Sequence, residues 1–201
     1  MQIAPAAQAR TERALEPLAR WLAYLGGVIL VAVAIMVVAS IIGRRLIFAG
    51  LGPIPGDYEL VEAGVGIAVF YFLPWCQLRR GHVTVDILVD TLPKRGKALF
   101  GFLGDSLIAL AAGVIFWRFY LGFGEKFPYF SEAWRDRLAM GYKPFFPETS
   151  YELEIPIWII YGLALIGAAV FFVVSLYAVW RSLNWLLAGE EGRTTPEESP
   201  I

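Results

Sequence analysis

Arg79-Arg80-Gly81-His82-Val83-Thr84-Val85-Asp86 is a cationic, polar string set between two long apolar runs. Tyr58 to Leu78 precedes it and Ala98 to Phe119 follows it. Each run reaches the roughly 20 apolar residues that cross about 30 Å of hydrocarbon. The string is therefore first a topology signal, the polar turn of a helical hairpin. Working outward, a third run covers Trp21 to Ile42, and a fourth starts near Ile155 and continues to about Val179, with helix expected as far as Leu187. In hydrocarbon a backbone must satisfy its own hydrogen bonds, which makes helix the expected form of all four. Membrane β-strands would alternate in short segments, and these runs do not. The fold class predicted is an all-α integral membrane protein with four transmembrane helices and short amphipathic or interfacial helices.

Composition agrees. The chain is 58% hydrophobic and 17% charged, whereas soluble domains carry about 25% charged residues. A net charge of −1 leaves no nucleic-acid footprint. Cys76 is the single cysteine and His82 the single histidine. One of each excludes an intrachain disulfide, a CxxC motif, a bis-histidine haem and a multi-histidine metal site. The first run exceeds a signal-peptide core and ends at Arg44-Arg45, while the cleavage-like Ala32-Val33-Ala34 lies mid-run. It is read as a retained helix.

The organisation predicted is an N-terminal segment over 1–20, a four-helix membrane domain over 21–187 and a disordered tail over 188–201. The tail is acidic and lacks apolar residues for a core. One side of the membrane would carry Arg10, Arg13, Arg20, Arg79, Arg80, Lys94, Arg95, Lys97, Arg181 and Arg193. The other would carry Arg44, Arg45, Arg118, Lys126, Arg135, Arg137 and Lys143. The larger set, dense over 79–97, places that loop and both termini in the cytoplasm. Trp21, Trp75, Trp117, Trp158 and Trp180 fall near span ends, where indoles favour the interface. Pro156 is expected in the first turn of span four, and Pro74 is expected to kink span two or end it early.

Outside the spans, the 1–20 segment is expected to form a short surface helix. Val85, Leu88, Val89 and Leu92 follow helical spacing with Asp86 and Asp90 opposite, which predicts a short amphipathic helix. The same residues also allow a strand. The long third loop, Leu121 to Glu154, is rich in aromatics, with Ser131 as an N-cap and Gly141 as a C-terminal stop.

Glu59, Glu62, Asp105 and Arg118 stand in or near the spans, where charge is costly. Glu59 and Arg118 are read as interfacial. Glu62 and Asp105 are read as structural pairing or subunit-contact residues. Antiparallel spans two and three bring Glu62 and Arg118 to similar depth, which predicts an ion pair between them. A histidine at its unperturbed pKa could relay protons near neutral pH, but His82 is read as a hydrogen-bonding residue of the loop in preference to a proton relay. Cys76 is read as packing. Ala109 with Gly113, and Ala164 with Ala168, offer small surfaces for close helix packing.

Three stretches carry a resemblance. They are Arg80-Gly81-His82-Val83 followed by Asp86; Gly56-Asp57-Tyr58-Glu59-Leu60-Val61-Glu62; and Leu153-Glu154-Ile155-Pro156-Ile157-Trp158 followed by Tyr161. In this order and spacing, over about Arg20 to Arg181, the chain resembles the small permease subunit of the tripartite ATP-independent periplasmic (TRAP) transporters, the DctQ-like family. Its long third loop departs from the compact family form. The resemblance implies a multi-pass protein of the bacterial inner membrane, not an enzyme. It implies a large permease partner (DctM-like) and a periplasmic substrate-binding protein (DctP-like). It implies uptake of an organic acid, with sodium coupling through the large subunit and no cofactor on this chain. The small subunit would act as a scaffold. Arg79, Arg80, Gly81, His82 and Asp86 would fix or dock the cytoplasmic loop, Glu59 and Glu62 would anchor the outer end of span two, and Pro156 and Trp158 would open span four. A self-associating channel or exporter, a structural membrane protein and a membrane redox subunit remain as alternative readings.

Overall fold

A computed structural model describes residues 3–80 and 93–188. Four long helices carry the fold: α1 (Pro5–Arg45), α2 (Asp57–Leu78), α3 (Lys94–Lys126) and, after the six-residue α4 (Glu132–Arg137), α5 (Ile157–Ala188). A 3-10 turn at Ile47–Ala49 follows α1. All four long helices have the length and apolar character to cross a membrane. The expected His82–Leu92 helix, Gly81, His82, Asp86 and the tail from 189 lie outside the described residues.

The helices run alternately up and down. Their near end holds the start of α1, Leu78, the start of α3 and the end of α5. Their far end holds the 46–56 linker and the 127–156 segment. α1 packs on α2, α2 on α5, and α5 on α3, with a lesser contact between α1 and α5. α5 thus lies between α2 and α3, which meet through side chains such as Phe70 and Phe119, ring centroids 4.6 Å apart.

The apolar runs locate the helices, but the helices extend past them. α1 is unbroken for 41 residues, about 60 Å at 1.5 Å per residue. Residues 5–20 are therefore the start of the span-one helix and not a separate surface helix. α3 runs on from Phe119 to Lys126, and α5 reaches Ala188. Hydropathy marks what suits hydrocarbon and is silent on how far a helix continues beyond it. Basic Arg44 and Arg45 in the last turn of α1, and acidic Asp57 and Glu59 in the first turn of α2, oppose the helix-end partial charges.

Pro74 does not end α2, which continues to Leu78. Proline supplies no N–H, so the carbonyl four residues back, that of Phe70, loses its helical donor. That carbonyl faces Gly167 of α5: a Cβ on Gly167 would stand 2.7 Å from the Phe70 oxygen. Only a residue without a side chain lets the two backbones approach so closely. Of the small-residue pairs, Ala109, Ala164 and Ala168 are buried and Gly113 is partly buried beside Phe172; Ala112 is buried as well. Inside a bilayer such close packing is a main source of helix association.

The core is thin. Leu15, Ala19, Leu78, Val174 and Tyr177 form one buried cluster, and Leu22, Ile67, Tyr71 and Ala164 form another. Large apolar side chains such as Val28, Val31 and Ile35 on α1 and Leu103, Leu107 and Leu110 on α3 point outward. A water-soluble monomer does not display so much contiguous apolar surface.

Candidate functional site

At the near end, the Arg79-Arg80 pair that follows α2 reaches two different helices. Arg79 donates to Glu16 of α1 at 2.9 Å, and Glu16 also takes Arg20 at 2.6 Å. Both guanidinium groups lie over the Trp75 ring, at 4.7 and 5.5 Å from its centroid. Arg80 donates to Asp105 of α3 at 2.6 Å. Asp105 is buried and Arg80 is partly buried. Arg80 takes φ 53°, a left-handed backbone that is costly for a residue with a Cβ, yet this turn aims its side chain at α3.

Arg181 of α5 completes the group. It donates to the carbonyl of Leu78 at 3.2 Å, stands 4.0 Å from Glu12, and shares the Trp185 ring with Arg80. Asn184 binds the chain start, accepting from the Ile3 N–H at 2.8 Å and donating to Gln8 at 2.6 Å. Near-end side chains thus tie together all four long helices.

At the far end Asp57 accepts from Ser40 at 2.5 Å and from Arg44 at 2.9 Å, joining α2 to α1. Glu59 turns the other way. Its two oxygens accept the backbone N–H groups of Glu152 at 2.7 Å and Leu153 at 3.1 Å. The Leu153 side chain fills the space beside Gly56, where an added Cβ would lie 2.2 Å from Leu153 Cγ; Gly56 also has φ 70°. The Gly56–Glu62 and Leu153–Trp158 stretches are thus the two halves of one contact.

The 127–156 segment is ordered around Arg135. This buried guanidinium donates to the carbonyls of Gly124, Phe127, Met140, Gly141 and Tyr142, at 2.6 to 3.2 Å. Gly124 and Phe127 lie at the end of α3, so the cation also meets the negative end of that helix. Lys126 pairs with Glu148, and the Tyr120 hydroxyl donates to the Leu138 carbonyl. Ser131 stands at the N-cap of α4 but makes no side-chain capping bond; its carbonyl accepts from Trp134 and Arg135. Gly141 is not the stop. α4 ends at Arg137, and the left-handed residue is Ala139, whose N–H bonds Asp136 while that of Met140 bonds Arg135. This is the Schellman pattern with alanine in the glycine position.

Pro156 sits one residue before α5, in an isolated antiparallel bridge with Thr149. Trp158 packs edge-on against Phe127 at 5.3 Å and Tyr129 at 5.8 Å. The expected Glu62–Arg118 ion pair is not formed. Both residues are exposed. Similar depth is not proximity: α3 meets α2 here through Phe119 against Phe70, while Arg118, one position earlier, is exposed. Glu62 instead lines a cavity of about 470 Å³, together with Phe70, Phe119, Tyr151, Ile160 and Tyr161.

Of the residues singled out in the sequence, Arg80 and Asp105 are brought together, and Glu59 is joined to the chain that precedes Pro156. Asp57, Ser40, Arg44, Glu16, Arg181 and Arg135 also hold the structure and were not singled out as site residues. The Glu16/Arg20 spacing of four residues was a signal for one of them. For Arg135 the sequence offers Arg137 as an equal candidate, and only the fold of the loop chooses between them.

Four membrane-length helices, tied at both ends by polar side chains, define a multi-pass membrane bundle. The family model of the tripartite ATP-independent periplasmic transporters, DctQ component, matches residues 33–184. The chain belongs to this family, whose members are transporter components and not enzymes. No curated protein and no solved structure matches the chain.

Proposed function

We propose that this chain, as the small subunit of a TRAP transporter, is a static brace for a large DctM-like permease. That permease would carry the sodium and substrate sites and receive an organic acid from a DctP-like binding protein. The carrying observation is the double set of clamps. Asp57 and Glu59 tie the far end, while Glu16, Arg80, Asp105 and Arg181 tie the near end. Helices fixed to one another at both ends suit a part that holds still while a neighbour moves. The cationic 79–97 region and the positive-inside rule support an inner-membrane orientation with both termini in the cytoplasm.

Reconstitution tests this reading. Purified large permease, binding protein and this chain in proteoliposomes should take up substrate under an inward sodium gradient, and omission of any one should abolish uptake. Full uptake without this chain would overturn the brace. Orientation is read separately: alkaline phosphatase fused after Pro144 should be active, and fused after Ile201 inactive. The reverse pattern would invert the topology.

A further inference from the structure

α2 and α5 touch backbone to backbone at Phe70 and Gly167. Toward the far end a gap remains between them, and this gap is the cavity of about 470 Å³. Ile67 and Phe70 of α2, Phe119 of α3, and Ile160 and Tyr161 of α5 give it apolar walls. Thr149, Ser150 and Tyr151 bound it at the far end, in the turn that Glu59 holds through the N–H groups of Glu152 and Leu153. The side is open past Glu62 and Gly66, both exposed. A cavity of about 150 Å³ holds a benzene ring, so this groove has room for more than one bulky side chain.

Glu62 gives the groove its chemistry. It lies about 7.5 Å along α2 from Asp57, at 1.5 Å per residue. Glu59, one turn earlier, has its oxygens occupied by backbone N–H groups. Glu62 has no ion pair or hydrogen bond among the described residues. A carboxyl group on a membrane helix pairs with a cation or faces water, and here it borders an apolar slot that opens sideways.

We propose that this groove is the docking site for a transmembrane helix of the large permease, one presenting a lysine or arginine to Glu62 beside bulky apolar residues that fill the slot. The inference rests on the subunit reading above. The carboxylate of Glu62, without a partner among the described residues, and the exposed Glu62–Gly66 edge argue for it. Glu62 and Gly66 edge the slot and are exposed, which leaves both within reach of a side chain on a neighbouring helix.

The test uses the full chain co-expressed with the large permease. A photoreactive benzoylphenylalanine replaces Gly66, where an added Cβ meets no atom within 4 Å. Light should give an adduct with the large permease. Glu62→Arg should lower both the adduct and co-purification by about tenfold or more, since like charges across an interface are strongly disfavoured. Glu62→Gln should lower them by less. Monodisperse elution of each variant alone shows that it folds. Adducts only with lipid, adducts only with a second copy of this chain, or unchanged recovery with Glu62→Arg would each overturn the groove assignment. Wild-type co-purification without light separates the two readings: if it fails, the subunit reading falls, and if it holds without a Gly66 adduct, only the groove falls.

Discussion

Arg135 carries a positive charge into the 127–156 segment and spends its donors on five backbone carbonyls. Lysine has one nitrogen and no planar fork, so Arg135→Lys loses most of these bonds. Unsatisfied buried acceptors cost about 1–3 kcal/mol. The variant should therefore become protease-sensitive within 127–156 while the long helices stay intact, as mapped by limited proteolysis and mass spectrometry. Ala139 lies four residues on, with φ 50°. Glycine there removes a left-handed strain of roughly 1 kcal/mol, so Ala139→Gly should raise the thermal midpoint in detergent, and a lowered midpoint would refute the Schellman reading. The sequence shows Ser131 and Gly141 as helix bounds because their residue types are suggestive. It cannot show that Ala139 takes the glycine position, because packing around Arg135 imposes that turn.

Between helices, Gly167 lies close against the Phe70 carbonyl that Pro74 leaves without its helical donor. A methyl group there has no room, and forced overpacking costs about 1–3 kcal/mol. Gly167→Ala should lower the unfolding midpoint in mixed micelles, whereas the same change at Gly66, which faces open space, should not. The Arg80–Asp105 pair joins the end of α2 to α3. Removing one partner of a buried pair costs roughly 3–5 kcal/mol. With the Arg80 side chain 25% exposed, solvent screening lowers that to about 2 kcal/mol. Asp105→Asn should lose that much, and a double-mutant cycle with Arg80→Ala should give a coupling of the same order; additive losses would show that the two do not interact. The four spans were legible from hydropathy alone. Which helices are neighbours was not, and the Glu62–Arg118 expectation failed on that point. Hairpin logic pairs consecutive spans, yet α5 comes from the end of the chain to lie between α2 and α3.

Taken together, the sequence disclosed the class of the molecule, its span count and its family stretches, because lipid imposes composition so strongly. It disclosed one ion pair's members, Arg80 and Asp105, without their pairing. The contact between the Gly56–Glu62 and Leu153–Trp158 stretches was invisible, since about ninety residues separate Glu59 from Glu152 and Leu153 and nothing local records a backbone acceptor so distant. The place of α5 also governs how the protein is made. Helices leave the ribosome in chain order, so α1 and α2 pair while synthesis continues. α3 then enters the bilayer before its principal packing partner exists. Until α5 arrives, α3 is an unsupported guest, exposed to membrane proteases that clear incomplete chains. A chain stopped before Ile157 should be degraded rapidly from α3 onward in pulse-chase labelling, and co-expression of a separate 157–201 fragment should rescue it. α5 thereby acts as the proofreader of the three long helices made before it.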